Sequence, residues 1–133
     1  MNAVPLVTAL YGAIIGLLGA FLTINVIRHR VATKINDGDG GNAHLRMAVR
    51  AHANFAQLVP LTVLLIGFSE SLGTPKTIIH GIGAALVLAR LLSAQGLLSA
   101  EGPSFGRQAG AGLTVLVLIA ASVLILLREG GIM

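Results

Sequence analysis

The chain alternates between long apolar stretches and short polar ones. Residues 3–27 contain no charged side chain, and at 25 positions they are long enough to cross a hydrocarbon core of roughly 30 Å as a helix. A second apolar stretch covers residues 51–69, with its helix starting nearer Asn42; a third covers 77–98 and carries Arg90; a fourth, 108–127, is again free of charge. Turn-rich segments divide them: KINDGDGGN from Lys34 to Asn42, SLGTP from Ser71 to Pro75, and SAEGPS from Ser99 to Ser104. In lipid every backbone polar group must be satisfied within the segment, so the spans are helical. The pattern predicts four transmembrane helices over about 3–29, 44–69, 76–98 and 106–128, in one domain covering 1–133. Short connections make neighbours antiparallel, which gives a four-helix bundle.

Composition agrees with this pattern. The chain is 55% hydrophobic and 11% charged, too little charge to cover a soluble domain of 133 residues. Cysteine is absent, which excludes disulfides, thiolate metal sites and a protein thiol nucleophile. The net charge of +4 comes from nine Lys and Arg lying between apolar runs, not from a basic stripe with interleaved aromatics, so nucleic acid is not an expected partner. Those cations orient the chain instead. Arg28, Arg30, Lys34 and Arg46 cluster around the first connection, and Arg90 and Arg107 flank the third. The first and third connections are expected in the cytoplasm. The first span is read as retained rather than as a removed signal, because MNAVPLV has no basic region ahead of it.

One polar pattern interrupts the apolar spans. In VRAHANFAQLVPL, helical spacing of about 100° per residue places Arg46, Arg50, Asn54 and Gln57 within an arc of about 80°, and turns His52 and Phe55 elsewhere. A cation at a helix end can snorkel to the interface, and a buried amide can bond another helix. Against these readings, no Asp or Glu lies within the second, third or fourth span; Glu70 and Glu101 stand at helix ends. Crowded cations without an internal anion point to an anionic ligand. Arg30, Arg90 and Arg107 lie near the same membrane face by the topology above. The four histidines show no zinc spacing, so no metal is expected. The pairs Gly12–Gly16 and Gly106–Gly110 mark faces where helices can approach closely.

RAHANFAQLVPL resembles the second-helix signature of the MAPEG family, the membrane-associated proteins in eicosanoid and glutathione metabolism. Arg50, Asn54 and Pro60 match its arginine, asparagine and proline. Gly38–Gly41 (GDGG) is similar to the loop of small bacterial inner-membrane members, LVLARLLSAQG (86–96) to their third helix, and FGRQAG (105–110) to their fourth. The resemblance implies a homotrimer in the bilayer, with glutathione bound between subunits as thiol cosubstrate for transfer to lipophilic electrophiles or for peroxide reduction. It implies Arg50 and Asn54 as glutathione contacts, with Gln57 and Arg90 in the same shell, and Arg30 and Arg107 beside the thiolate. Gln57 replaces a usual glutamate, and Leu58, Ser93 and Leu97 replace tyrosines of active members. A non-catalytic membrane scaffold of this family is the alternative, and a small anion channel or transporter the third reading.

Overall fold

The protein is described by a computed structural model, over residues 4–99 and 101–132. Four helices follow one another: α1, Leu6–Thr33; α2, Ala43–Ser71; α3, Lys76–Ser99; and α4, Phe105–Glu129. All four are long and apolar enough to cross a membrane. The predicted spans agree at most ends to within a few residues. The largest difference is at the end of α1, which runs past position 29 through RHRVAT to Thr33. Nothing in that segment breaks a helix. Its 28 residues extend about 42 Å, so its last turns project beyond a core of roughly 30 Å. The helix stops where Lys34 adopts a left-handed conformation, φ 57°.

The connections carry their own local chemistry. Gly38, Gly40 and Gly41 all have positive φ, so the GDGG stretch folds back through conformations that side chains with a Cβ rarely adopt. Asn42 then caps α2 by accepting from the Leu45 backbone N–H at 2.9 Å. Ser104 does the same for α4, accepting from Arg107 N–H at 3.2 Å. The Thr74 hydroxyl pairs with Ser69 at 2.8 Å, closing the second connection.

Helices α2 and α3 are both central, each packing against the other three, whereas α1 and α4 make no close backbone approach among the described residues. Leu22, Ile66, Ile79, Leu86, Val117 and Ala121 are nearly or fully buried between the helices. Leu10, Leu17, Ile24, Leu116, Ile119 and Leu126 point outward, as lipid-facing residues do. The closest packing is between α3 and α4. A Cβ at Gly106 would lie 2.8 Å from the Leu92 carbonyl oxygen, and one at Gly110 only 2.6 Å from that of Ala89. The Gly106–Gly110 pair therefore works inside the protomer. Gly16, by contrast, is exposed and has open space where a Cβ would be.

At the end of the bundle that holds the second connection, Glu70 reaches from α2 to α1. Its carboxylate accepts from Val7 N–H at 2.9 Å, Thr8 N–H at 2.7 Å and the Thr8 hydroxyl at 2.7 Å. Pro5 precedes α1 and provides no side-chain cap. A buried glutamate from another helix satisfies those orphan donors and sits at the positive end of the α1 dipole.

Candidate functional site

An open cleft of about 800 Å³ lies at the opposite end, where the first and third connections meet. Its first wall is α2, whose Arg50, Ala53, Asn54 and Gln57 follow one another at helical spacing. Leu97 of α3 lies at its base. The third connection supplies Glu101, Gly102 and Pro103, and α4 supplies Arg107, Gln108 and Ala111. The Ser104 cap fixes where α4 begins, and so which residue of that helix first faces the cleft.

The polar groups hold different states of engagement. Arg50 and Gln57 are exposed, and neither is held by a hydrogen bond or ion pair among the described residues. Arg107 is half-buried and donates through Nη1 to the Glu101 carbonyl oxygen at 3.2 Å, which leaves its other nitrogens to face the cleft. Asn54 is oriented from behind. Arg90 Nη2 donates to its Oδ1 at 2.6 Å. Because guanidinium can only donate, the oxygen must face Arg90 and the amide NH2 is left as a donor. The cleft thus offers two guanidinium groups and an amide donor, a set suited to a carboxylate or other oxyanion.

Arg90 does not line this cleft. It is 1% exposed, held between Asn54 and the Thr114 hydroxyl (Nη1 to Oγ1, 3.3 Å), with its guanidinium carbon 5.9 Å from the Phe55 ring centroid. Within the protomer, where the sequence places it in the ligand shell, it adjoins the cleft only through Asn54. Arg30 is also elsewhere in the protomer. Its Nη1 donates to the Ile35 and Gly38 carbonyl oxygens at 3.1 and 3.0 Å, and it lines a separate surface pocket with Ile27, Val31, Lys34 and Asn36. It ties the first connection to α1. Ser93, where the resemblance implies a tyrosine, is buried, with its hydroxyl close to Gly110.

Arg46, the first residue of the α2 stripe, differs from Arg50. Its Nε meets Asp39 at 2.7 Å and its Nη1 meets Glu101 Oε1 at 2.9 Å. The stripe is therefore not without anions, as its sequence suggests; two carboxylates from two connections fold onto its outer end. The Gly41 backbone N–H and the Arg46 guanidinium hold the Asp39 carboxyl below its usual range. Spacing along the helix identified the α2 wall. It could not identify Glu101, which comes from a connection 55 residues away from Arg46 and carries no local signal beyond an acidic residue in a turn.

The MAPEG family model matches residues 8–127. The chain belongs to the MAPEG family. Inner membrane protein YecN of Escherichia coli strain K12 is 32% identical over 87 residues, which cover 65% of this chain and 66% of that protein. The protein of the same name from strain CFT073 matches to the same extent. The chain thus spans about two thirds of the length of the curated relatives it matches. The resemblance drawn from Arg50, Asn54 and Pro60 holds at the level of the family. Four apolar spans and an inner-membrane relative make this MAPEG chain a multi-pass integral membrane protein of the inner-membrane kind.

Proposed function

We propose that the cleft binds glutathione and that the protein transfers its thiol to lipophilic electrophiles, or uses it to reduce lipophilic peroxides. The observation that carries this reading is the convergence of unpaired Arg50, the presented Asn54 amide and half-buried Arg107 on one open cleft in a MAPEG chain. On this reading a glutathione carboxylate lies against Arg50 and Asn54, and the sulfur lies near Arg107. An ordinary thiol has a pKa of about 8.5 and is mostly protonated at neutral pH. A fixed guanidinium favours the thiolate and offsets the desolvation that opposes it. The protein then needs no nucleophile of its own, and the thiolate sits beside the phase in which apolar electrophiles dissolve.

The same reading makes the protein a homotrimer. Arg50, Gln57 and Gln108 are exposed polar groups on membrane helices, and such groups face protein or a water-filled cavity rather than lipid. Arg30 lines a different pocket of its own protomer, so a role beside the thiol requires a neighbouring subunit to bring it there. The basic residues around the first and third connections support a cleft at the cytoplasmic face.

The test is turnover of glutathione with a chloronitrobenzene, together with titration of thiolate absorbance, on the purified protein in lipid nanodiscs. Arg107→Ala is expected to lower kcat/KM about tenfold for each pK unit of thiolate stabilisation it removes. No thiolate signal and no turnover above the Arg107→Ala control would sink the proposal. One observation favours a non-catalytic scaffold as a second reading: Ser93 is buried and Leu97 presents only hydrocarbon, so neither brings the ligand-contacting hydroxyl of a tyrosine. On that reading Arg50→Ala weakens assembly and leaves glutathione binding unchanged.

A further inference from the structure

Among the described residues one carboxylate side chain lines the cleft, and the α2 helix does not supply it. Position 57, where a carboxylate would accompany Arg50 and Asn54 on one face, is Gln57, a group that cannot form an ion pair. Glu101 lines the same cleft from the third connection. Two contacts set its position. Its Oε1 accepts from Arg46 Nη1 at 2.9 Å, and its backbone carbonyl accepts from Arg107 Nη1 at 3.2 Å. Arg46 is itself anchored to Asp39 across the first connection, so the Glu101 side chain is tied to α2 while its backbone is tied to α4. Only one carboxylate oxygen is taken. The second retains its acceptor capacity, and the side chain is 47% exposed.

Around Glu101 the charges are all positive: Arg46 on α2, Arg107 on α4, and Arg50 further along the α2 wall. Asp39 lies on the far side of Arg46 and is occupied by it. The cleft is therefore dipolar, with oxyanion donors at Arg50, Asn54 and Arg107 and an acceptor at its mouth.

We infer that Glu101 is the specificity-determining residue for the charge pattern of the ligand, receiving an ammonium group while Arg50 and Arg107 receive its anionic groups, so that the cleft selects a zwitterionic thiol over its deaminated analogue. This rests on the thiol-binding reading above, and it assigns the ammonium contact to the third connection. It also gives Gln57 a different place, as a neutral hydrogen-bonding neighbour.

The experiment compares glutathione with desamino-glutathione, in which hydrogen replaces the amino group, by titration calorimetry on the full protein in nanodiscs. The wild type is expected to bind glutathione about three- to fivefold more tightly, the size of a partly exposed ion pair. Glu101→Gln is expected to abolish that preference while binding desamino-glutathione at least as tightly as the wild type, since a nearby negative charge is removed, which also shows that its cleft is intact. Equal binding of both thiols by the wild type overturns the inference and leaves the thiol-binding proposal standing. A preference that survives Glu101→Gln, or an equal loss of both ligands in that variant, also overturns it. Binding of neither thiol to the wild type overturns both.

Discussion

Glu70 and Glu101 show what one side chain does at each end of this molecule. Glu70 is 4% exposed and accepts three hydrogen bonds from the first turn of α1. Removing it leaves buried donors unsatisfied, the costly half of hydrogen-bond energetics. Glu70→Ala is expected to lose about 3 kcal/mol of stability, read as a lower thermal midpoint in detergent and faster hydrogen exchange at Val7 and Thr8. Exchange at those two amides unchanged from wild type would refute the tertiary cap. Neither acidic residue advertises its partner locally. Glu70 closes an apolar helix, and its donors lie 62 and 63 residues earlier. Arg50, Asn54 and Gln57 were legible because their relation is helical spacing, which sequence carries directly. Arg90 was visible as an intramembrane cation, but which way it points was not, because its partners Asn54 and Thr114 belong to two other helices.

Among the helices, the α3–α4 pair is set by small residues. Gly96, Gly106 and Gly110 face backbone atoms of the partner helix at distances that leave no room for a methyl group. A Cβ at Gly110 would fall 2.6 Å from both the Ala89 carbonyl oxygen and the Ser93 backbone nitrogen, and main-chain atoms cannot swing aside as a flexible side chain can. Gly110→Ala is expected to cost about 1–3 kcal/mol through overpacking, whereas Gly16→Ala on the open face of α1 should leave the thermal midpoint near wild type. Similar midpoints for the two variants would contradict the close approach. Glycine spacing drew attention to both pairs equally, and only the packed structure separates Gly106–Gly110, which seats α4 on α3, from the exposed Gly16. Pro60 belongs to this scale as well. It lies inside α2 and removes the N–H that would bond the Ala56 carbonyl, yet the helix continues to Ser71.

Over the whole molecule, the cleft end is joined by charges and the opposite end by a buried cap. Arg46 connects the first connection, α2 and the third connection through Asp39 and Glu101. The Asp39 carboxyl is held below its ordinary value of 3.8, first by the Gly41 N–H and then by Arg46. A depressed carboxyl contributes its stabilisation above the unfolded pKa and loses it as pH falls through the folded pKa. The first connection is thus expected to stay docked at pH 5 and to loosen below pH 3.8. Carbon NMR of the Asp39 carboxyl should give a midpoint under 3.8 in the wild type, and a midpoint at or above it would rule out the contact.

Some features follow from composition and short-range periodicity alone. Those are the four apolar helices, the turn-rich connections, the polar stripe of α2 and the family that its Arg50–Asn54–Pro60 pattern marks. Burial in lipid enforces helices, and a helix fixes the relation between residues three and four apart. Tertiary structure alone decided that Arg90 stands behind Asn54, that Arg30 leaves the cleft for the first connection, and that Glu101 enters it. Those outcomes depend on which helix faces which and how closely glycines let them approach. They join residues dozens of positions apart, and no local spacing encodes them.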